Sequence, residues 1–462
     1  MSGNKVNFTS LGCPRNLVDS EVMLGILLKA GYEVTEAVEE ADYLVVNTCA
    51  FLDSSREESK GAIAEVLECK KESAKLIVTG CMVSKHRPEI EDAFPGVHYL
   101  LGSGDVEGIL KAVQSDAQGQ QIGSVRSYLE AGEIPRVLST PSHYAYLKIA
   151  EGCRKACAYC IIPKIKGPLR SKSIEQILKE FRSLLTQGVQ EVILIAQDLG
   201  DFGKDQGTKK GNLAVLLREI LKIEGDYWLR LLYLYPDEID DELIELMQND
   251  KRLLPYLDMP IQHINDSLLK SMRRTTSASQ IKSVITRLRE KVPDVHIRTS
   301  LIVGFPGETE EQFEELIAFL QEYPLNHVGI FKYSQEAGTP AGVMDNQIEE
   351  KTKEKRHKKL AAVQQAAVAK LNKAMVGRQV PVVIEQYHPE TDLLLVGRYF
   401  GQCPEIDGQV ILNDWQKVGA FGERYLVEIT DVAGYDLIGS VLRPIKKMPV
   451  KRPKAQLTLL NS

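Results

Sequence analysis

Eight cysteines are spread over the 462 residues, at positions 13, 49, 69, 81, 153, 157, 160 and 403. Cys153, Cys157 and Cys160 form a Cys-x3-Cys-x2-Cys loop within EGCRKACAYCIIP. That spacing can gather three thiolates around one metal centre. No fourth ligand is close, since the next histidine is His263 and the next cysteine is Cys403. Structural zinc sites normally close with four ligands, so three suggest a metal with an open position. A 4Fe–4S cluster with one iron free for a small ligand meets that description. Buried thiols or an incomplete zinc knuckle are the plain alternatives.

Cys13, Cys49 and Cys81 are far apart in sequence but share one setting. Each ends a strand-like run and precedes a helix-like one: FTSLGC, LVVNTC and LIVTGC. In a parallel sheet those loops lie on one edge, at the carboxyl ends where open α/β sheets bind ligands. Three thiols can converge there, again with one position open; three unrelated buried cysteines are the alternative. Cys69 sits inside a helical run and Cys403 reads as a loop residue, so neither is needed as a ligand.

The elements that must position these thiols follow from periodicity. Strand patterns at Lys5–Ser10, Tyr43–Asn47 and Leu76–Thr79 alternate with helical ones at Leu17–Ala30, Ser54–Lys71 and Ser84–Ala93. That alternation predicts a parallel sheet with helical crossovers. After a polar stretch, Gln114–Ser142, six further strands are expected at Tyr144–Ala150, Glu191–Ala196, Trp228–Leu234, Leu257–Ile261, His296–Val303 and Val328–Tyr333. Six βα units fit a closed or partial barrel with its chemistry at the carboxyl ends of the strands. A long helix over Glu349–Met375 leads to short β runs at Val380–Glu385, Leu393–Tyr399, Gln409–Leu412 and Tyr425–Ile429, a small all-β barrel. The tail from Lys446 carries five basic residues and no acid, and reads as flexible.

Apolar residues make up 44% and charged residues 26% of the chain, as in a soluble multidomain protein. No apolar run approaches the roughly 18 residues of a membrane span. Met1–Ser10 lacks the layout of a signal peptide, so a cytoplasmic location is expected. The net charge of −6 gives no support to a general nucleic-acid binder. The β module is itself acidic, with ten acids against five bases over Val376–Arg443. Such a module repels phosphate and suits a basic partner, with Asp407, Asp414 and Asp436 as candidate steering charges.

The three-cysteine loop, Tyr159 before its last cysteine, the second cysteine set and the terminal β module together resemble the methylthiotransferase family of radical S-adenosylmethionine enzymes. The resemblance covers nearly the whole chain. It implies an amino-terminal methylthiotransferase domain (1–115), a radical domain with a partial (β/α) barrel (139–345) and a helical linker (346–375). A TRAM barrel (376–444) and a basic tail (445–462) complete the implied order. It further implies two 4Fe–4S clusters, one held by Cys153, Cys157 and Cys160. The auxiliary one, held by Cys13, Cys49 and Cys81, carries the sulfur to be inserted. One S-adenosylmethionine supplies the methyl group and a second yields a 5′-deoxyadenosyl radical. Tyr159 is implied beside the adenine, Gln197 near the methionine moiety, and SLIVGFPGE with Gly304 and Glu308 along the adenosine. His263 reads either as lining the pocket or as a satisfied core histidine.

SLGCPRNLVDSE, YLDMPIQHINDSLLKSMRR and GRYFGQCPEIDG resemble the branch that modifies the β-carbon of an aspartate in ribosomal protein S-twelve. The branch acting on tRNA adenosine typically has Gly-Cys-Gln-Met-Asn at the first cysteine. The implied partners are that ribosomal protein, free or in the small subunit, an electron donor and a sulfur source. Direct RNA binding is secondary at most and no membrane is involved. A tRNA methylthiotransferase and a non-catalytic iron–sulfur scaffold are the rival readings. No residue stands out as a catalytic acid or base.

Overall fold

The computed structural model describes residues 4–123, 129, 135–207 and 211–445. The chain begins with a parallel sheet of β1 (Lys5–Ser10), β2 (Glu33–Val34), β3 (Tyr43–Thr48), β4 (Lys75–Gly80), β5 (Tyr99–Gly102) and β6 (Gly119–Gln121), in the order β2-β1-β3-β4-β5-β6. Its central strands are apolar at consecutive positions because both faces are covered. Leu44, Val46, Leu76 and Val78 enter one core with helices α2 (Asp53–Cys69) and α3 (Cys81–Ala93). Val45 and Ile77 enter another with α1 (Pro14–Lys29).

The second sheet contains β7 (Tyr144–Lys148), β10 (Glu191–Ile195), β11 (Trp228–Leu231), β12 (Leu253–Asp258), β13 (His296–Val303) and β14 (His327–Lys332). They run parallel in sequence order without closing, and a small antiparallel pair, β8 (Ala150–Glu151) with β9 (Arg170–Ser171), lies apart. Alternate residues such as Leu147, Val192 and Leu229 face the outer helices. Tyr146, Ile193, Ile195 and Trp228 face inwards. β12 starts at Leu253, earlier than the expected Leu257. The observed strand includes Pro255. The structure absorbs it in a register irregularity opposite Leu229–Leu231, where the missing N–H is tolerated.

The helix Glu350–Lys373 leads to a closed barrel of β15 (Gln379–His388), β16 (Thr391–Tyr399), β17 (Val410–Leu412), β18 (Glu423–Ala433) and β19 (Asp436–Pro444). Sequence periodicity did not disclose β19, because Gly439 reads as a break. In the fold Gly439 is a close-packing position, whose added Cβ would stand 2.5 Å from Val427. The basic tail 446–462 lies outside the described residues. Among the described residues no helix is long and apolar enough to cross a membrane.

The β barrel stoppers the amino-terminal end of the second sheet. Glu191 binds Arg230 at 2.6 Å and Arg398 of the module at 3.0 Å, and Arg398 also binds Glu385. Glu385 accepts from His143 at 2.8 Å, Glu405 from the Tyr144 hydroxyl at 2.7 Å and Asp407 from the Tyr256 hydroxyl at 2.7 Å. This corrects the expectation that Asp407 is a steering charge. Its side chain is 2% exposed, and it faces Arg298 and His327 as well as Tyr256. Asp414 and Asp436 are likewise half-buried acceptors, of the Val441 and Gln409 backbone N–H groups. Counting charges along the sequence could not reveal which acids had partners in another part of the fold.

Candidate active site

β1, β3 and β4 are neighbours in one parallel sheet, so the loops after them adjoin. Cys13 caps α1, Cys49 follows β3, and Cys81 opens α3 directly after β4. Gly12 makes the approach possible. It has φ +93°, and a Cβ there would stand 2.9 Å from Cys49 Cβ and 3.0 Å from Cys49 Sγ. Beneath the loops, Asn47 Nδ2 donates to Asn16 O and Ser20 Oγ, while Asn16 Nδ2 donates to Leu11 O and Thr48 O. Ser59 Oγ takes the Cys49 N–H and returns a bond to the Cys49 carbonyl. Burial pushes Cys81 up to about 12, with the charges of Cys13 and Cys49 adding to the rise and Lys166 opposing it. Burial acts the same way on Cys13, but the Arg15 guanidinium and the Asn16 N–H outweigh it, so this thiol is lowered.

The second triad is shaped by its loop. Gly152 (φ +82°) precedes Cys153, and a Cβ there would meet Pro168 O at 2.1 Å. Cys153 N–H donates to Gly167 O, Cys160 N–H to Cys157 O, and Ala158 N–H to Met272 O. Lys155, between the first two cysteines, plugs a set of acids: it lies 3.2 Å from Asp198, 3.6 Å from Asp201 and 3.0 Å from Glu238. Those three carboxylates are the one set of ligand atoms within 4.8 Å of one another among the described residues. The ammonium at their centre makes them an anchor for the cysteine loop rather than a metal site. Tyr235 Oη lies 2.9 Å from Cys157 Sγ, and the Arg274 guanidinium stacks 3.8 Å from the Tyr235 ring centre.

Neither triad holds all its sulfurs within 4.8 Å of one another. A single zinc, with Zn–S bonds of about 2.3 Å, would draw them under about 4 Å apart. Thiols that converge more widely, with no fourth ligand among the described residues, fit a cluster larger than one ion. The two triads also adjoin, because Cys81 shares one core with Ile161, the residue after Cys160. Arg15 acts on both, lying against the Cys13 thiol and lowering Cys160 against the larger, burial-driven rise.

The expected cofactor contacts are placed unequally. Tyr159 is half-buried beside Cys157, Cys160 and Arg274. Gln197, after β10, donates to Glu151 at 2.5 Å. Gly304 keeps a left-handed φ of +73° against Lys353. Glu308 is buried at 2% exposure and committed internally, to Gly304 N–H at 2.6 Å, His263 at 3.2 Å and Arg356 at 2.6 Å. It locks the turn after β13 to the long helix. His263 Nδ1 accepts the Asn265 N–H, so its Nε2 carries the proton given to Glu308. It is a satisfied core histidine. Arg15, Tyr233, Tyr235 and Arg274 were missed. The run LLYLYP at the end of β11 was the available signal, since two tyrosines there flank the site.

Comparison with known proteins agrees with this architecture. Residues 5–102 match the uncharacterized protein family UPF0004, 147–320 the radical SAM superfamily and 376–442 the TRAM domain. The ribosomal protein uS12 methylthiotransferase RimO of Protochlamydia amoebophila is 67% identical over 95% of this chain and 93% of its own length. The chain belongs to the RimO family. The RimO of Chlamydia caviae is 59% identical over 97% of each chain, and that of Bdellovibrio bacteriovorus 43% identical over 95% and 97%. Among solved structures, the radical S-adenosylmethionine methyltransferase TsrM of Kitasatospora setae superposes with a TM-score of 0.54 at 15% identity, over 74% of each chain. That likeness is one of fold. Membership of the RimO family makes the protein a radical S-adenosylmethionine methylthiotransferase that uses S-adenosylmethionine and iron–sulfur chemistry.

Proposed function

We propose that the protein adds a methylthio group to the β-carbon of an aspartate in ribosomal protein uS12 in the cytoplasm, and that it carries two 4Fe–4S clusters. In this reading Cys153, Cys157 and Cys160 hold the radical cluster and Cys13, Cys49 and Cys81 the auxiliary one. Residues 1–115, 139–345 and 376–444 then form three functional units, with the 346–375 helical linker between the second and the third. The observation that carries the reading is the meeting of two open-ended cysteine triads, with Cys81 in one core with Ile161 and Arg15 bonded across to Ala196, in a chain 67% identical to a uS12 methylthiotransferase. Bound there, the clusters supply an electron for cleavage of S-adenosylmethionine and the sulfur to be transferred.

The chain's own residues prepare that chemistry. Lys155 and the acids around it fix the radical loop, and the Tyr235 hydroxyl is hydrogen-bonded to Cys157 Sγ. Tyr159 beside Cys157 and Cys160, and Gln197 bonded to Glu151 after β10, would help to hold the S-adenosylmethionine. The aspartate Cβ–H is too weak an acid for a side-chain base, which is why hydrogen-atom abstraction is needed. A reductant and a sulfur source must come from outside.

Anaerobically reconstituted protein, given uS12 and tRNA separately, should show a methylthio gain on the protein by mass spectrometry. A gain on tRNA alone overturns the reading. The holoprotein should contain about eight iron atoms. Replacing Cys153, Cys157 and Cys160 by alanine should leave about half of that iron and end reductive cleavage of S-adenosylmethionine. The Cys13, Cys49 and Cys81 triple alanine variant should still cleave it without transferring sulfur.

A further inference from the structure

Arg15 lies against the Cys13 thiol and reaches across to Ala196 at the end of β10. Its guanidinium gives one N–H to Ala196 O at 2.8 Å and sits 4.7 Å from the centre of the Tyr233 ring. A guanidinium carries five N–H donors, and among the described residues no carboxylate is within ion-pair distance of this one. The charges it feels are first that of Cys13, which it also hydrogen-bonds, then Tyr233, and only then Glu151, which is already held by Lys148 at 2.7 Å, Lys166 at 3.7 Å and Gln197 at 2.5 Å. Neighbouring cations are all engaged. Lys148 and Lys166 also share Asp19, Lys155 is set among three acids, and Arg298 binds Asp258 at 2.9 Å. Arg274 lacks a carboxylate too, but it is closed in by Tyr235 and reaches Cys157 of the radical triad alone. With Cys13 engaged as a cluster ligand, the planar fork keeps N–H donors for an incoming carboxylate.

The platform under Arg15 is itself unusual. Tyr233 has φ +65°, an unfavourable conformation for a bulky residue. Its N–H is held by Asp258 at 3.2 Å and its carbonyl by the Leu199 N–H at 2.9 Å. Strain of this kind is typical of ligand clamps.

We propose that Arg15 is the receptor for the side-chain carboxylate of the aspartate that the enzyme modifies. This rests on the substrate reading above and deepens it. The carboxylate carbon is bonded to the carbon that loses hydrogen, so a two-pronged grip on the carboxylate sets that carbon between the two triads. An asparagine in the same peptide would offer the fork one neutral oxygen in place of a charged pair, and the site should reject it. A neutral purine would gain nothing from the guanidinium charge.

The test uses reconstituted holoenzyme and two peptides copied from the modified loop of uS12, identical except for aspartate or asparagine at the target. Binding is measured for the parent, Arg15→Met, Arg15→Gln and Arg15→Lys, with iron content and the electron paramagnetic resonance spectrum confirming assembly. The parent should prefer the aspartate peptide by about tenfold or more, the range expected of hydrogen bonds to a charged group. Arg15→Met and Arg15→Gln should weaken the aspartate peptide selectively and erase the preference. Arg15→Lys should restore part of it, since it keeps the charge but not the fork. Equal binding of the two peptides by the parent overturns the proposal. So does a preference that survives in either neutral variant once assembled, or an equal loss on both peptides. Mass spectrometry of the same samples separates the two readings. A clear aspartate preference without any methylthio gain would overturn the substrate assignment and leave the carboxylate site standing.

Discussion

Burying a hydroxyl without a partner costs about 1–3 kcal/mol, and Cys403 is fully buried between the β barrel and the strands it covers. Its neighbours there include Tyr146, Trp228 and Val383, and burial pushes its thiol far above the ordinary range. Cys403→Ser should therefore lower stability by about that amount in thermal melting, whereas Cys69→Ser, at an exposed helix position, should leave the melting temperature unchanged. Equal melting of the two variants would falsify this packing role. In the sequence both cysteines look inert, and only the docking of a distant module distinguishes them. The two triads were legible because strand-end and loop spacing are local properties. Arg15 and Tyr233 were not, because their partner groups come from different parts of the chain: Ala196 for Arg15, Asp258 and Leu199 for Tyr233.

The helix Glu350–Lys373 was legible as an element, but its role was not. It carries Arg356 and Lys353 into the second sheet, where Lys353 Nζ donates to Tyr333 O at 2.9 Å. Arg356 meets Glu308 at 2.6 Å with both side chains buried. Removing one member of such a pair leaves the other charge stranded, at about 3–5 kcal/mol. Arg356→Met should thus destabilise strongly in denaturant unfolding. Glu310→Gln, which touches the same arginine at 3.3 Å from an exposed position, should cost less than about 1 kcal/mol. A matching small loss in both would remove the lock from the account of this turn. β12 and β19 show the limit of pattern reading at this scale. The fold uses Pro255 in a register irregularity and Gly439 for close packing, roles that depend on the neighbouring strands.

His296, at the start of β13, joins the sheet to the β barrel and shows how that contact responds to acid. Its Nδ1–H donates to Asp294 O at 2.8 Å and its Nε2 accepts from Tyr399 Oη at 2.8 Å, which satisfies the neutral ring on both sides. Burial, and then the neighbouring His327, lower its pKa from about 6.5 to about 4. The folded state thus binds this proton less readily than the unfolded chain does. The stabilisation is whole above pH about 6.5 and is lost as the pH falls towards about 4. Melting of the intact protein should drop through that window, and His296→Gln should flatten the drop; an unchanged acid limb in the variant counts against it. The same interface supports the far end of the molecule. Asp407 of the module faces Arg298, Arg298 binds Asp258, Asp258 holds the Tyr233 N–H, and the Tyr233 ring carries Arg15. A chimaera that grafted a foreign β module onto this sheet would be fitted at its base and misaligned at its chemistry, unless residues 298 and 407 travelled together.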